Sequence, residues 1–312
     1  MSLPIVFFGT PDFAIPTLVA MHEDPDIDLR GVLTQPDRPA GRGKKLRPSP
    51  VKAWAQNHDL DVIAPESLKE EGVMPWLEAR APEAIVVVAY GGFVRKPVRE
   101  LPPHGCVNLH PSLLPRYRGA APIQWAIMNG DSVTGNSTMY LSKGWDDGDV
   151  IDQEEEPILP TDTYGTLSQR LAEKGAGLMR KSLHAIAAGT APRVPQPEAG
   201  VVMAPLISNE DARIHWRRPA QQIHNQVRGL NPVPGAFTFL DGQRLKVLRT
   251  EVIAATASAE PGTVISTEFN TIRVAAQEGI VEILELQPAG KKAMRASDFL
   301  RGHTIPPKTR CE

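Results

Sequence analysis

Three polar side chains in two short motifs have the types and spacing that acyl transfer needs. Asn108 and His110 lie two residues apart in the segment Asn108–Pro115, and Asp146 follows in the segment Trp145–Asp149. Residues two apart on an extended strand point to the same side, so an amide and an imidazole can both contact one reacting oxygen. A carboxylate from elsewhere in the chain can orient the imidazole or accept a proton. The two motifs therefore predict a site for acyl-type transfer.

Each motif also has an interpretation that needs no catalysis. An Asn followed two residues later by a His near a strand end is common in turns and in structural polar pairs. The spaced carboxylates Asp146, Asp147 and Asp149 suit a divalent cation. No further pattern of oxygen ligands accompanies them, so we predict no metal. Asp147 leaves one alternative open, because a second carboxylate there could compete with Asp146 for His110.

The first half of the chain alternates short apolar strands with helical stretches. Pro4–Phe8, the helical stretch Phe13–Met21 and Leu29–Leu33 form a strand–helix–strand unit, and Ala84–Ala89 and Gly105–Leu109 are two further strands. This alternation predicts an α/β, Rossmann-like parallel sheet. Ligands bind at the carboxyl ends of such strands, and the motif at Asn108 follows one of them.

The turn after the first strand does not have the features of a dinucleotide site. Gly9–Phe13 lacks the Gly-x-Gly-x-x-Gly pattern, so a pyrophosphate has no close approach to the backbone. We therefore predict that the protein binds no NAD.

The length of 312 residues predicts two domains. The proline-rich segment Thr190–Gly200 has no periodicity and is typical of a linker. After it, Ala236–Leu248 carries an Asp-Gly turn between alternating apolar residues, which indicates a hairpin and a small OB-like β-barrel. The predicted limits are a catalytic domain at 1–189, a linker at 190–208 and a barrel at 209–312.

Charge and cysteine usage restrict the class of protein. The formal net charge is -2, but residues 209–312 hold 14 Lys and Arg against 11 Asp and Glu, which permits nucleic-acid binding without proving it. Cys106 and Cys311 form no disulfide framework, and the first residues lack a basic leader. No apolar run approaches the roughly 20 residues of a membrane-spanning helix. We predict a cytoplasmic protein, with no membrane contact and the monomer as the default state.

Longer stretches around the two motifs resemble a known family. His110–Gly119 followed by Ala120–Gln124 is similar to the signature of the formyltransferases that use 10-formyltetrahydrofolate, and Asp146–Asp149 is similar to their second motif. The resemblance spans nearly the whole chain. It implies a formyltransferase domain followed by the small barrel, with 10-formyltetrahydrofolate as co-substrate.

The resemblance also implies roles for individual residues. An acceptor amine would attack the formyl carbon, Asn108 and His110 would stabilise the charge on the formyl oxygen, and Asp146 would hold the imidazolium and help to accept the proton. The folate contacts that it implies are Ser112, Leu113, Leu114, Pro115, Ala89 and Tyr90.

Two basic stretches resemble those family members whose acceptor is methionyl-tRNA. Thr34–Pro50 is similar to their inserted loop, and Leu286–Met294 is similar to a stretch near their C-terminus. We expect the first to be an exposed, flexible loop with no regular element. Trp216, His224 and Arg228 are weaker candidates for contact with tRNA. The main predicted tRNA contacts are Arg38, Arg42, Lys44, Lys45, Arg47, Lys291 and Lys292.

Three other functions stay open at this point. A formyltransferase acting on glycinamide ribonucleotide or an amino sugar nucleotide shares the catalytic residues but does not explain the basic loop. Hydrolysis of the formylfolate to formate is distinguished only by that loop. An RNA-binding module without catalysis is disfavoured because Asn108, His110 and Asp146 are all present.

Overall fold

The computed structural model describes residues 2–40, 45–255, 257–306 and 308–312. The chain divides into two compact units. The first unit comprises Met1–Gly119, Val133–Pro157 and Ser168–Met203, and the second comprises Ala120–Ser132, Ile158–Leu167 and Ala204–Glu312. Two segments that precede residue 168 thus belong to the second unit. The division into a catalytic domain at 1–189 and a barrel at 209–312, joined by a linker at 190–208, stays a prediction.

The elements as far as residue 187, in chain order, are β1 Leu3–Gly9, α1 Ile15–Glu23, β2 Ile27–Leu33, β3 Arg38–Ala40, β4 Lys45–Arg47, α2 Pro50–Asn57, β5 Val62–Ile63, α3 Val73–Arg80, β6 Ala84–Val88, α4 Lys96–Arg99, β7 Cys106–His110, α5 Pro122–Met128, β8 Val133–Tyr140, β9 Val150–Pro157 and α6 Tyr164–Ala187. The elements beyond it are α7 Asn209–Ala212, α8 Ala220–Leu230, β10 Ala236–Leu240, β11 Gln243–Ile253, β12 Val264–Ser266, β13 Ile272–Ala275, β14 Ile280–Pro288, β15 Met294–Arg295 and α9 Ala296–Gly302.

Among the described residues, the first unit has a seven-stranded sheet in the order β5-β2-β1-β6-β7-β8-β9. The pairs from β5 to β7 are parallel, which confirms the predicted Rossmann-like sheet, whereas β8 and β9 are antiparallel. Ile5 and Phe7 of β1 pack into one apolar cluster, and Val6 and Phe8 pack into another. Both faces of the sheet are therefore covered, which explains why its central strands are continuous apolar runs.

The register of the central strands brings their carboxyl ends together. Gly9 of β1 pairs with Val88 of β6, and Val88 pairs with Leu109 of β7. His110 therefore lies one residue beyond the end of the parallel neighbour β6. This edge of the sheet is where an open α/β fold binds its ligands.

The second unit contains an antiparallel sheet in the order β10-β11-β14-β13-β12, with β15 paired to β14. The last residues of the chain link its two outer strands, because Cys311 bridges Leu240 and Arg310 bridges Thr263. The predicted Asp-Gly turn joins β10 to β11, and both of its residues have positive φ. The small C-terminal β-domain is confirmed. Within the described residues, no helix is long and apolar enough to cross a bilayer.

Glu156 on β9 gives the first unit a pH-dependent contribution to stability. The carboxylate is buried, and Arg170 Nε and Lys174 Nζ each lie 2.6 Å from one of its oxygens. Burial alone raises the pKa of Glu156, but the two cations outweigh burial and lower it. Because the pKa of Glu156 is lower in the folded protein than in the unfolded chain, where it is about 4.3, the ionised carboxylate stabilises the fold above that pH. This stabilisation is lost as the pH falls through the pKa of Glu156 in the folded protein.

We therefore expect Glu156→Gln to lower the midpoint of thermal unfolding at pH 7, and we expect the difference from the unmodified protein to narrow below about pH 4. Thermal denaturation at the two pH values measures this. Glu155→Gln, at an exposed position on the same strand, is the matched control and should change little at either pH. An equal loss at both pH values for Glu156→Gln would contradict the ionic origin of the effect.

Candidate active site

Asn108 and His110 lie on β7 and are only 8% and 4% exposed. Leu109 between them packs into the apolar cluster on one face of the sheet. Because side chains alternate along a strand, Asn108 and His110 both face the other side. Asn108 pairs in register with Met139, and His110 pairs with Ser137 of β8. The end of β7 thus presents an amide and an imidazole side by side.

Asp146 approaches His110 from the loop between β8 and β9. Its Oδ2 lies 3.7 Å from His110 Nδ1 and accepts a hydrogen bond of 2.9 Å from the Gly119 N–H. Asp146 has φ +49°, a left-handed conformation that Asp and Asn adopt more readily than most residues. Gly148 allows the loop to pass close to β8, because a Cβ there would overlap the Tyr140 carbonyl oxygen.

The hydrogen bonds of His110 identify the ring nitrogen available for chemistry. His110 Nε2 lies 2.9 Å from the Tyr117 carbonyl oxygen. A carbonyl can only accept, so Nε2 carries a proton and donates it to Tyr117. The 3.7 Å between Nδ1 and Asp146 is too long for a hydrogen bond, so the carboxylate acts on Nδ1 by its charge. Nδ1 is therefore the atom that can exchange a proton with a ligand.

The Asn108 side chain makes no hydrogen bond to any residue in the described part of the chain. A nearly buried amide without a protein partner is costly unless a ligand or water uses it. The Asn108 N–H groups are thus available to a negatively charged oxygen held at the end of β7.

Asp147 makes contacts of its own. Its carboxylate accepts a hydrogen bond from the Ser142 hydroxyl, and the Gly144 N–H in turn donates to Ser142 Oγ at 3.0 Å. Within the described ranges, Asp147 forms no ion pair with His110. Trp145, on the other side of Asp146, is 70% exposed. The carboxylate nearest to the imidazole is therefore that of Asp146.

The predicted folate segment Ser112–Pro115 is held largely by internal contacts. Ser112 is fully buried, and its hydroxyl donates to the Arg116 carbonyl at 2.6 Å. The Leu114 N–H donates to Ser137 Oγ at 3.1 Å. Leu113 packs against Gly135 of β8. The Ser112 hydroxyl thus shapes the turn, which leaves Leu113 and Pro115 as the partly exposed side chains of the segment.

Ala89 and Tyr90 follow the end of β6. Ala89 is exposed and has φ +46°, whereas the Tyr90 side chain is buried with its ring 5.4 Å from that of Phe8. Burial raises the pKa of the Tyr90 hydroxyl to about 12, although a hydrogen bond with Gln35 opposes the shift. The Tyr90 ring therefore belongs to the core, and the exposed backbone beside it is what a ligand could contact.

The basic segment after β2 contains a regular element, contrary to the expectation of an irregular loop. β3 and β4 form a two-stranded antiparallel hairpin in which Arg38 pairs with Arg47 and Ala40 pairs with Lys45. Pro39 lies within this pairing, opposite Leu46, so the proline did not prevent a short strand. The side chains of Arg38, Lys45 and Arg47 are exposed. Arg42 and Lys44, also predicted as tRNA contacts, lie outside the described residues.

The candidate tRNA contacts of the second unit differ in exposure. Lys291 and Lys292 are exposed in the turn between β14 and β15. Trp216, by contrast, is a core residue whose Nε1–H donates to Thr238 Oγ1 at 3.0 Å. Trp216 is thus not available to a ligand, because its ring and its only donor are both used inside the barrel.

Gln196 is a site residue that the sequence analysis missed. Its side-chain amide donates to the carbonyl oxygens of Asp146 and Gly148, at 2.9 and 2.8 Å. It lies in a proline-rich segment without periodicity, where no sequence signal distinguishes it from linker.

Comparisons with known proteins agree on one family. Residues 3–183 match the model described as formyl transferase, and residues 206–304 match the model described as formyl transferase, C-terminal domain. A methionyl-tRNA formyltransferase from Moorella thermoacetica is 47% identical over 307 residues, which are 97% of each chain.

Two solved structures are similar in fold. HypX from Aquifex aeolicus in complex with tetrahydrofolic acid has a TM-score of 0.67 at 16% identity, covering 99% of this chain and 51% of that one. Methionyl-tRNA formyltransferase from Clostridium thermocellum has a TM-score of 0.56 at 16% identity, covering 80% and 93%.

Proposed function

The chain belongs to the formyl transferase family, and we propose that it transfers the formyl group of 10-formyltetrahydrofolate to the α-amino group of initiator methionyl-tRNA, for translation initiation. The observation that supports this proposal is that Asn108 and His110 lie two residues apart on β7, with the Asp146 carboxylate 3.7 Å from His110 Nδ1. The curated relatives that match almost the whole chain are named for the same activity.

Asn108, His110 and Asp146 have different roles in the reaction. As the amine nitrogen bonds to the formyl carbon, Asn108 donates to the formyl oxygen, where negative charge develops. His110, protonated at Nδ1, adds positive charge to the same region, and the Asp146 carboxylate favours that protonated form. The attacking amine must lose a proton, which the Asp146 carboxylate accepts because both ring nitrogens of His110 are already protonated. The same proton passes to the departing folate nitrogen as its bond to the formyl carbon breaks.

The remaining assignments belong to the same proposal. Leu113, Pro115 and the backbone at Ala89 and Tyr90 contact the folate. The exposed hairpin of β3 and β4 and the exposed Lys291 and Lys292 turn contact tRNA phosphates. We propose a cytoplasmic monomer that needs neither a metal nor NAD.

Three parallel incubations test the function. The purified protein is given 10-formyltetrahydrofolate with charged initiator tRNA, with small amine acceptors such as glycinamide ribonucleotide or an amino sugar nucleotide, or with water alone. We expect formylmethionyl-tRNA in the first incubation and little product in the others. Formate release without an acceptor would instead assign a hydrolase, and formylation of a small amine would assign another branch of the family.

The basic hairpin should contribute salt-dependent affinity for tRNA. We expect replacement of Arg38, Lys45 and Arg47 by Gln to raise KM for charged tRNA and leave KM for the folate unchanged. The slope of log KM against log salt should become shallower by about 0.7–0.9 for each tRNA phosphate that the hairpin no longer neutralises. Steady-state kinetics at several salt concentrations measure both effects.

The matched control removes three exposed cations from helices of the same unit, with Lys96 on α4 and Arg180 and Lys181 on α6 replaced by Gln. This variant has the same net charge as the hairpin variant and should keep the original salt slope. Equal slopes for the two variants would mean that net charge, and not the hairpin, attracts the tRNA.

A further inference from the structure

The side chain of Gln196 uses both its donor and its acceptor atoms on the two loops beside His110. Gln196 Nε2 donates to the carbonyl oxygens of Asp146 and Gly148, and Oε1 accepts a hydrogen bond of 2.9 Å from Arg118 Nε. One side chain thus joins the loop that carries Asp146 to the segment that precedes Gly119. Because the amide nitrogen and the amide oxygen of Gln196 are both hydrogen-bonded to these two loops, the side chain fixes the distance between the loops.

The segment that carries Gln196 is itself held by backbone hydrogen bonds. Val194 and Val150 exchange two of them, at 2.9 and 3.0 Å, and the Arg118 N–H donates to the Val202 carbonyl at 2.9 Å. Gln196 lies between these two attachments. Although this segment has the composition of a linker, its position relative to the β8–β9 loop is therefore defined.

The same two loops set the direction of the Asp146 carboxylate. The Gly119 N–H binds Oδ2, and Gln196 binds the backbone carbonyl of the same residue. Asp146 is thus held at its side chain and at its main chain, in a left-handed conformation that its neighbours must maintain. Without the hydrogen bonds from Gln196, the carbonyls of Asp146 and Gly148 can turn, and the 3.7 Å approach to His110 Nδ1 is no longer fixed.

We propose that Gln196 is a positioning residue for formyl transfer, which keeps the Asp146 carboxylate directed at His110 Nδ1 by binding the Asp146 and Gly148 carbonyls. The proposal rests on the proposed function of this site. Gln196 touches no reacting atom and acts through Asp146.

Two variants test this. Gln196→Glu keeps an oxygen for Arg118 but places a carboxylate oxygen against two carbonyl oxygens, and Gln196→Ala removes all three hydrogen bonds. For both we expect kcat to fall about 10- to 100-fold, because a displacement of about 1 Å has that effect on a reacting group. KM for either substrate should stay within about twofold. A kcat within twofold of the unmodified enzyme would overturn the proposal.

A double-mutant comparison separates positioning from general destabilisation. If Gln196 acts through Asp146, then Gln196→Ala should cost less than about threefold in kcat once Asp146→Asn is present. If the fold-losses in kcat of the two single variants multiplied in the double variant, the proposal would be overturned. Gln226→Ala is the matched control, because Gln226 Nε2 also donates to two backbone carbonyls, those of Asp211 and Arg213, at 2.7 and 2.9 Å. It should lower thermal stability without changing the kcat of folded enzyme.

Hydrogen exchange at the Gly119 amide gives a readout that does not depend on turnover. The N–H is bonded to Asp146 Oδ2, so we expect its exchange to be at least tenfold faster in Gln196→Glu and unchanged in Gln226→Ala. Unchanged exchange in Gln196→Glu would overturn the positioning role. If the unmodified protein formylated no methionyl-tRNA, the proposed function would fail, while the exchange measurement would still decide whether Gln196 holds Asp146.

Discussion

Asp146→Asn is expected to reduce kcat for formylation of methionyl-tRNA about 10³- to 10⁴-fold. Asn adopts left-handed conformations readily and can still accept a hydrogen bond from the Gly119 N–H, so the loop should keep its path. What the substitution removes is the negative charge 3.7 Å from His110 Nδ1. Loss of the carboxylate in the analogous carboxylate–imidazole pair of serine proteases has an effect of this size. Single-turnover kinetics with saturating folate and charged tRNA measure it.

Asp147→Asn is the matched control. It makes the same chemical change at the next residue, where the carboxylate accepts a hydrogen bond from Ser142. We expect its kcat to stay within about fivefold of the unmodified enzyme. The reverse order of effects would mean that Asp147 is the working carboxylate and that our assignment of Asp146 is wrong.

Asn108→Ala is expected to lower kcat about 10²- to 10³-fold. The Asn108 amide has no partner in the described part of the protein and faces the same side of β7 as His110, so its donors are aimed at a ligand. Removing one such donor from an oxyanion site raises the barrier by about 2.7–4 kcal/mol. Since the charge develops only as the reaction proceeds, kcat should fall much more than the KM for either substrate rises.

Asn136→Ala controls for the loss of a buried amide. Asn136 lies on β8 and donates to the Leu171 carbonyl at 2.9 Å, so its removal should lower the midpoint of thermal unfolding and spare the kcat of the folded enzyme. If Asn108→Ala lowered stability by as much as Asn136→Ala but kept full turnover, the Asn108 amide would be a structural group.

Local patterns predicted those parts of the fold that depend on short-range physics. The apolar runs at β1, β6 and β7 were recognisable because strands buried on both faces must be apolar throughout. The hairpin of β10 and β11 was recognisable because Asp241 and Gly242 tolerate the positive φ that its turn requires. β8 and β9 were not predicted, because Val133–Tyr140 and Val150–Pro157 contain polar residues whose burial or pairing depends on distant elements.

The amino-acid sequence was enough to place Asn108 and His110 on one side of a strand, because alternation along an extended chain is a property of the backbone. It was also enough to identify the family, through motifs that cover most of the chain. Three hydrogen bonds were visible only in the tertiary structure. His110 Nε2 donates to the Tyr117 carbonyl, the Ser142 hydroxyl donates to the Asp147 carboxylate, and the Gln196 amide donates to the Asp146 carbonyl. All three contacts involve loops without periodicity, whose paths no local pattern specifies, and the contact of Gln196 with Asp146 joins residues 50 positions apart.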